Sequence, residues 1–416
     1  MTETSKFKKF LLSILPGLFI VGYVIGTGSV TSMVVAGARY GMSFTWALFL
    51  SCFFTFVLLI AISKITIVTG KTIMFNIKNH IGWFAAVFII LGLMVTVISS
   101  IMGVMAVVAQ VIQEWSRSLT PEQTGISPLI TSIIFLSFLF FLFWTGKHGI
   151  FIRFVSLMVG VMGLAFILTN LMIIHDPAEI FKGLIPHIPS SGQPHLIIAG
   201  MVGTTMAAVV LVSRSIVIAE KGWKVNELQI EHRDAIISAV VLFLVSAAIM
   251  ASAAGTLYPR GITVDNAIDM VSTLEPLAGR FAIAVFVTGI IAAGLSSIFP
   301  NMLLLPWLIC DYKGINRDLT KTIFRFLVII VTLSGLIMPV FGGQPVVIMI
   351  ASQAFSPLMM PLLIIFLMII MNKKKVMGEY INGFWLNTGL TVTLIFSIFI
   401  FFIAFEGYID FFRIQE

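Results

Sequence analysis

Charge is scarce in this 416-residue sequence. Charged residues make up 10% of it, apolar residues 59%, and the mean hydropathy is +1.09. Soluble domains carry about 25% charged residues, so this shortage excludes a soluble chain of such length. Cysteine is nearly absent too: Cys52 and Cys310 both lie in or at the end of apolar stretches. They build neither a disulfide framework nor a thiolate metal cage. The 18 acidic residues lie in loops or near the ends of apolar stretches, as do His80, His148, His175, His187, His195 and His232. With no carboxylate or imidazole expected at the centre of a bilayer, no Ser/His/Asp or Cys/His arrangement stands at membrane depth, and no enzyme is expected. Nor does any long linker or low-complexity tract divide the chain, which reads as a single transmembrane domain over 1–416.

What is present instead is a series of apolar runs, each long enough for a hydrocarbon core of about 30 Å. Lipid offers backbone groups no hydrogen-bond partner, so these runs are expected to be helices. Eleven spans are expected, near 11–38, 43–68, 81–113, 127–146, 149–174, 195–220, 235–257, 280–310, 322–341, 344–371 and 382–405. The opening MTETSKFKKF resembles the charged region of a signal peptide, but the long apolar run behind it lacks a small-residue cleavage pattern. It reads as a retained first span.

With the N-terminus inside, the inner segments carry 18 of the 25 basic residues and the outer segments carry 6. That threefold bias predicts a multi-pass cell-membrane protein with a cytoplasmic N-terminus and an extracytoplasmic C-terminus. The net charge of +7 is then topogenic, Lys373, Lys374 and Lys375 included, and no nucleic-acid partner is expected. The remaining basic residue, Arg214, falls inside the sixth span.

Spans one and six share an interruption. The first contains VIGTGS (24–29) and the sixth MVGTTM (201–206), each a Gly-Thr step in apolar sequence. Glycine-interrupted spans five helices apart are what two inverted five-helix repeats produce, with unwound segments meeting at a midplane substrate site. The repeats would cover about 11–174 and 195–371, leaving 382–405 as an extra C-terminal helix. Close packing of small residues is the plainer explanation of each motif taken alone.

AGARYGMSFTWALFL (36–50), SKITIVTGKTI (63–73) and AAGLSS (292–297) resemble the natural resistance-associated macrophage protein (NRAMP) family of divalent metal transporters. The resemblance implies an all-α polytopic protein of about 11 transmembrane helices with the LeuT/APC-type fold and spans 1 and 6 broken. The family's metal ligands do not carry over. Its Asp-Pro-Gly-Asn motif falls on Gly26, Thr27, Gly28 and Ser29, so only the glycine is kept. In the sixth span the thioether position is Ala207 and the histidine position Val209, while Met206 lies one residue early. The proton-route acids of the third span fall near Val97 and Ser100, and a second histidine falls on Arg214.

The candidate substrate-binding residues are therefore Gly26, Thr27, Gly28, Ser29, Gly203, Thr204, Thr205 and Ala207. Gln353 joins them because the family uses a glutamine in the tenth helix; a packing role is equally consistent with its sequence. These groups offer neutral oxygens, which suit a hard ion retaining part of its water shell, as magnesium does. They offer no charge to offset manganese or iron in a low-dielectric site. No cofactor is expected, and the metal, if any, is not fixed by the residues. Two readings stand: a transporter of a hard divalent cation, and a carrier of a small organic or anionic solute held at half-helix N-termini. Proton coupling is not expected. Arg214, about 9 Å along the helix from the sixth-span break at 1.5 Å per residue, reads either as a gate or counter-charge in the inner vestibule, or as an arginine that snorkels to the cytoplasmic interface or pairs with Glu220.

Overall fold

A computed structural model describes residues 25–145, 148–173, 177–190, 192–278, 281–315 and 321–415. The first part of span one, 11–24, lies outside them. Every regular element among the described residues is a helix. Nine of these helical segments are long and apolar enough to cross a bilayer: Thr45–Thr69, Trp83–Leu119, Pro128–Thr145, Pro194–Lys221, Val225–Arg260, Ala282–Lys313, Thr322–Phe341, Pro345–Met371 and Phe384–Arg413. They occupy the expected positions of spans two to four and six to eleven. Thr27–Tyr40 and His148–Met172 stand where the described part of span one and span five were expected.

Burial orders these helices. In the most apolar window of span six 94% of the residues are buried, against 33% in spans three, four and nine. Span six therefore runs through the centre, while the others turn apolar faces outward. Side chains such as Phe84, Ile134 and Phe326 are exposed on those faces, as lipid contact requires. Span one packs chiefly on spans seven and six, and the eleventh helix packs on spans six and ten.

Prolines and glycines set the interruptions. Span six divides into Pro194–Thr205 and Ala208–Lys221, with Met206 (φ −108°, ψ 49°) and Ala207 (φ −75°, ψ 119°) between them. In span ten the hydrogen-bond ladder lapses at Phe355, between Pro345–Ala354 and Ser356–Met371. Pro357 is the cause: it has no N–H to give the carbonyl of Gln353 four residues earlier. Phe355 itself keeps helical angles (φ −72°, ψ −32°), so the ladder is cut without a sharp bend.

Span seven begins earlier than its hydropathy indicated. Its helix starts at Leu228 rather than 235, which brings Glu231 and Asp234 inside the helix and wholly out of solvent. Both stand in the first two turns, near the span end as expected, but buried inside the bundle and not in a loop. An apolar count ends at the first charges, whereas a helix continues wherever those charges find a buried partner.

Candidate functional site

The helix of span one starts at Thr27, with Gly26 as its N-cap in extended conformation (φ −102°, ψ −174°) and no side chain capping it. Facing this start is the gap in span six. Together with spans three, eight and ten, this helix start and the gap in span six line a cavity of about 50 Å³. Gly26, Gly28 and Ser29 line it from span one, and Gly203, Thr204, Ala207, Val209 and Val210 from span six. Gln353 lines it from span ten. Seven of the nine candidate substrate-binding residues thus meet at one place.

The other two do not. Thr27 is wholly buried and does not line the cavity. Thr205 donates to Ser51 Oγ (2.7 Å) and Met201 O (3.1 Å), and its carbonyl accepts from Thr55 Oγ1 (3.0 Å). Its hydroxyl fastens span six to span two. On a helix, successive residues point about 100° apart, so the three residues of a Gly-Thr-Thr run cannot all share one face.

Several lining residues are not among the substrate-binding candidates of the sequence: Thr96 and Ser100 of span three, Ser297 and Asn301 of span eight, and Ser356 of span ten. Ser100 Oγ accepts from Asn301 Nδ2 (3.4 Å) and Gln353 Nε2 (3.5 Å), so one hydroxyl joins three spans. Ser100 occupies a position that the NRAMP resemblance gives to a proton-route acid; Val97, the other, is buried off the cavity. Ser297 closes the AAGLSS motif, and Ser356-Pro357 marks the lapse in span ten; those were the available signals.

The wall is chemically uniform. Among the described residues its polar groups are hydroxyls, amides and backbone, with no carboxylate, imidazole or thiol. Among the described residues no group of three or more His, Cys, Asp or Glu side chains could hold a metal ion. Ser29 Oγ is buried without a hydrogen-bond partner, whereas Thr204 Oγ1 is satisfied by Met201 O at 2.9 Å. Ala208 N, at the start of the second half of span six, donates to Ser356 Oγ at 3.1 Å.

Arg214 stands apart from the cavity. Its side chain is wholly buried, with Nη2 2.8 Å from Asp234 Oδ2 and 3.0 Å from Glu231 Oε1, while Nε donates to Ser63 Oγ at 2.9 Å. The guanidinium joins spans six, seven and two. Neither an interfacial arginine nor a pairing with Glu220 describes it, and it lines no part of the cavity wall.

The chain matches the "Natural resistance-associated macrophage protein-like" family over residues 17–405. It is 24% identical to the divalent metal cation transporter MntH of Klebsiella pneumoniae subsp. pneumoniae over 390 residues, 91% of this chain and 90% of that one. A 27% identical match to MntH of Clostridium acetobutylicum spans 205 residues, about half of each protein. Among solved structures, a variant of the Eremococcus coleocola manganese transporter superposes with a TM-score of 0.73 at 14% identity, covering 97% of this chain and 87% of that one. MHP1, a nucleobase-cation-symport-1 family transporter, follows at TM-score 0.55 and 16% identity, covering 95% and 90%. These likenesses establish the fold, an all-helical membrane transporter architecture. By the match over residues 17–405, the chain belongs to the natural resistance-associated macrophage protein family.

Proposed function

We propose that this protein is a secondary transporter that carries a hard divalent cation of the magnesium type by alternating access between two inverted repeats, with its N-terminus in the cytoplasm. The observation that carries this reading is the cavity between the start of the span-one helix and the gap in span six. The polar groups that the described residues place on its walls are all neutral hydroxyls, amides and backbone, and its volume is about 50 Å³. A cavity holds a water once it offers about 10–15 Å³ by this measure, so the space suits an ion with part of its hydration shell. Sites for small organic molecules run to about 300–1,000 Å³.

Neutral walls also set the mode of binding. An ion stripped of all its water would lose hydration energy that hydroxyls and amides repay poorly without a counter-charge. Magnesium dehydrates reluctantly and takes oxygen ligands. Ser29 and Thr204 hydroxyls and the Gln353 amide would replace a few waters and hydrogen-bond to the rest. Weak, rapidly exchanging binding follows. The soft ligands that favour manganese or iron are replaced at Ala207 and Val209.

A small anion or zwitterion is the second reading, favoured by the helix starts at Thr27 and Ala208 beside the cavity. Size counts against an organic solute. Against an anion, the first N–H of the Ala208 helix is already taken by Ser356 Oγ.

Uptake into proteoliposomes tests the proposal. Magnesium entry read by an enclosed dye is expected, saturating only at high concentration. Folded protein that moves no magnesium, calcium or manganese would sink it, and stabilisation by carboxylates or amino acids alone would establish the second reading.

A further inference from the structure

Three helix ends meet at the cavity, and one short segment of span ten touches all of them. At the start of the span-one helix, a Cβ on Gly28 would come within 2.5 Å of Met349 Cε and 2.8 Å of Gln353 Cδ. At the end of the first half of span six, a Cβ on Gly203 would come within 2.0 Å of the Gln353 carbonyl oxygen and 3.1 Å of Pro357 Cδ. At the start of the second half, Ala208 N donates to Ser356 Oγ.

This last contact replaces a missing local one. A helix start leaves its first N–H groups unpaired, and the preceding residue usually caps them with a short polar side chain. Here that residue is Ala207, which has none, and no side chain caps from its own position. Ser356 supplies the cap from another span. Ser356 stands where the ladder of span ten lapses, immediately before Pro357.

We infer that Ser356 is a positioning residue of the transport cycle: its hydroxyl latches the second half of span six to span ten beside the cavity. The latch must release when that half-helix swings to open the cavity. It acts on the helix that forms the wall and need not touch the substrate. This inference shares the cavity with the proposed function but is independent of which ion is carried.

The test uses the full chain in nanodiscs, with Val210→Cys on the cavity wall as a reporter for a water-soluble thiol reagent. The protein without Val210→Cys gives the background from Cys52 and Cys310. Losing a cap shifts an equilibrium by about fivefold, so Ser356→Ala is expected to speed reporter labelling by about that factor. Ser356→Thr keeps the hydroxyl and is expected to label at the unsubstituted rate. In proteoliposomes, Ser356→Ala is expected to lower the maximal rate of magnesium uptake several-fold with KM little changed. Labelling unchanged within about twofold, or a threonine variant that labels as fast as the alanine one, overturns the inference. Labelling needs no substrate, so absence of magnesium uptake by the unsubstituted protein would defeat the proposed function and leave this result standing.

Discussion

Arg214 and Asp234 face each other at 2.8 Å with both side chains out of solvent, and Glu231 shares the same guanidinium nitrogen at 3.0 Å. Such a buried group of charges contributes less to net stability than its Coulomb energy suggests, because all members lost their water. Removing one member is a different matter. Arg214→Ala leaves two buried carboxylates facing each other and is expected to destabilise the protein by about 3–5 kcal/mol. Arg214→Lys is expected to restore little, since an ammonium cannot span Ser63, Glu231 and Asp234 with a planar fork. Thermal unfolding in detergent reads both; a lysine variant as stable as the parent would contradict this account.

Gly26 is the N-cap of the span-one helix, lines the cavity and lies in extended backbone open to any residue. Aspartate is a favourable N-cap and would place a carboxylate on the wall. Gly26→Asp should fold normally and bind manganese at least about tenfold more tightly than the parent, since a carboxylate near a cation in a low-dielectric site easily exceeds 1.4 kcal/mol. Calorimetric titration with manganese and magnesium checks it. Equal manganese affinity in the two proteins would mean that the cavity is not where the cation sits.

Two glycines of the cavity should respond differently to a methyl group. At Gly203 the added carbon meets the Gln353 carbonyl at 2.0 Å, which is backbone and cannot step aside. Gly203→Ala is expected to cost about 1–3 kcal/mol through overpacking and to abolish uptake. At Gly28 the obstacles are the ends of the Met349 and Gln353 side chains, which can rotate. Gly28→Ala should keep its thermal stability and lose uptake through displacement of Gln353. Equal melting temperatures for the two variants would refute the distinction.

Among the described residues no titratable side chain lines the cavity, so a pH gradient imposed across proteoliposomes should not drive uptake. Accumulation that depends strictly on the gradient is the contrary outcome.

Stability should show a small pH dependence from a different place. His80, at the end of the short helix Ile73–His80, has its pKa lowered by partial burial and by the nearby Lys373 ammonium. The unfolded chain therefore takes up this proton first as pH falls. The contribution is fully present above the unfolded value of about 6.5 and is lost as pH drops from there toward the folded value. His80→Asn should remove that component from a plot of melting temperature against pH between about 7 and 5.

The sequence by itself determined the class of this protein and the places of its helices. Lipid leaves backbone groups no alternative to internal hydrogen bonds, so apolar runs of sufficient length had to become helices. Gly-Thr steps in spans one and six, backed by AGARYG, TGK and AAGLSS, pointed to the fold and to most of the cavity. Only the tertiary structure decided which hydroxyls face that cavity: Ser29 and Thr204 do, while Thr205 turns to Ser51. Composition cannot separate adjacent residues that a helix rotates by about 100°. It also could not show that Ser356 caps a helix from 148 residues away, or that Glu231 and Asp234 enter span seven to meet Arg214. Those contacts join residues distant in sequence, and their energy depends on burial that exists only once the bundle has closed.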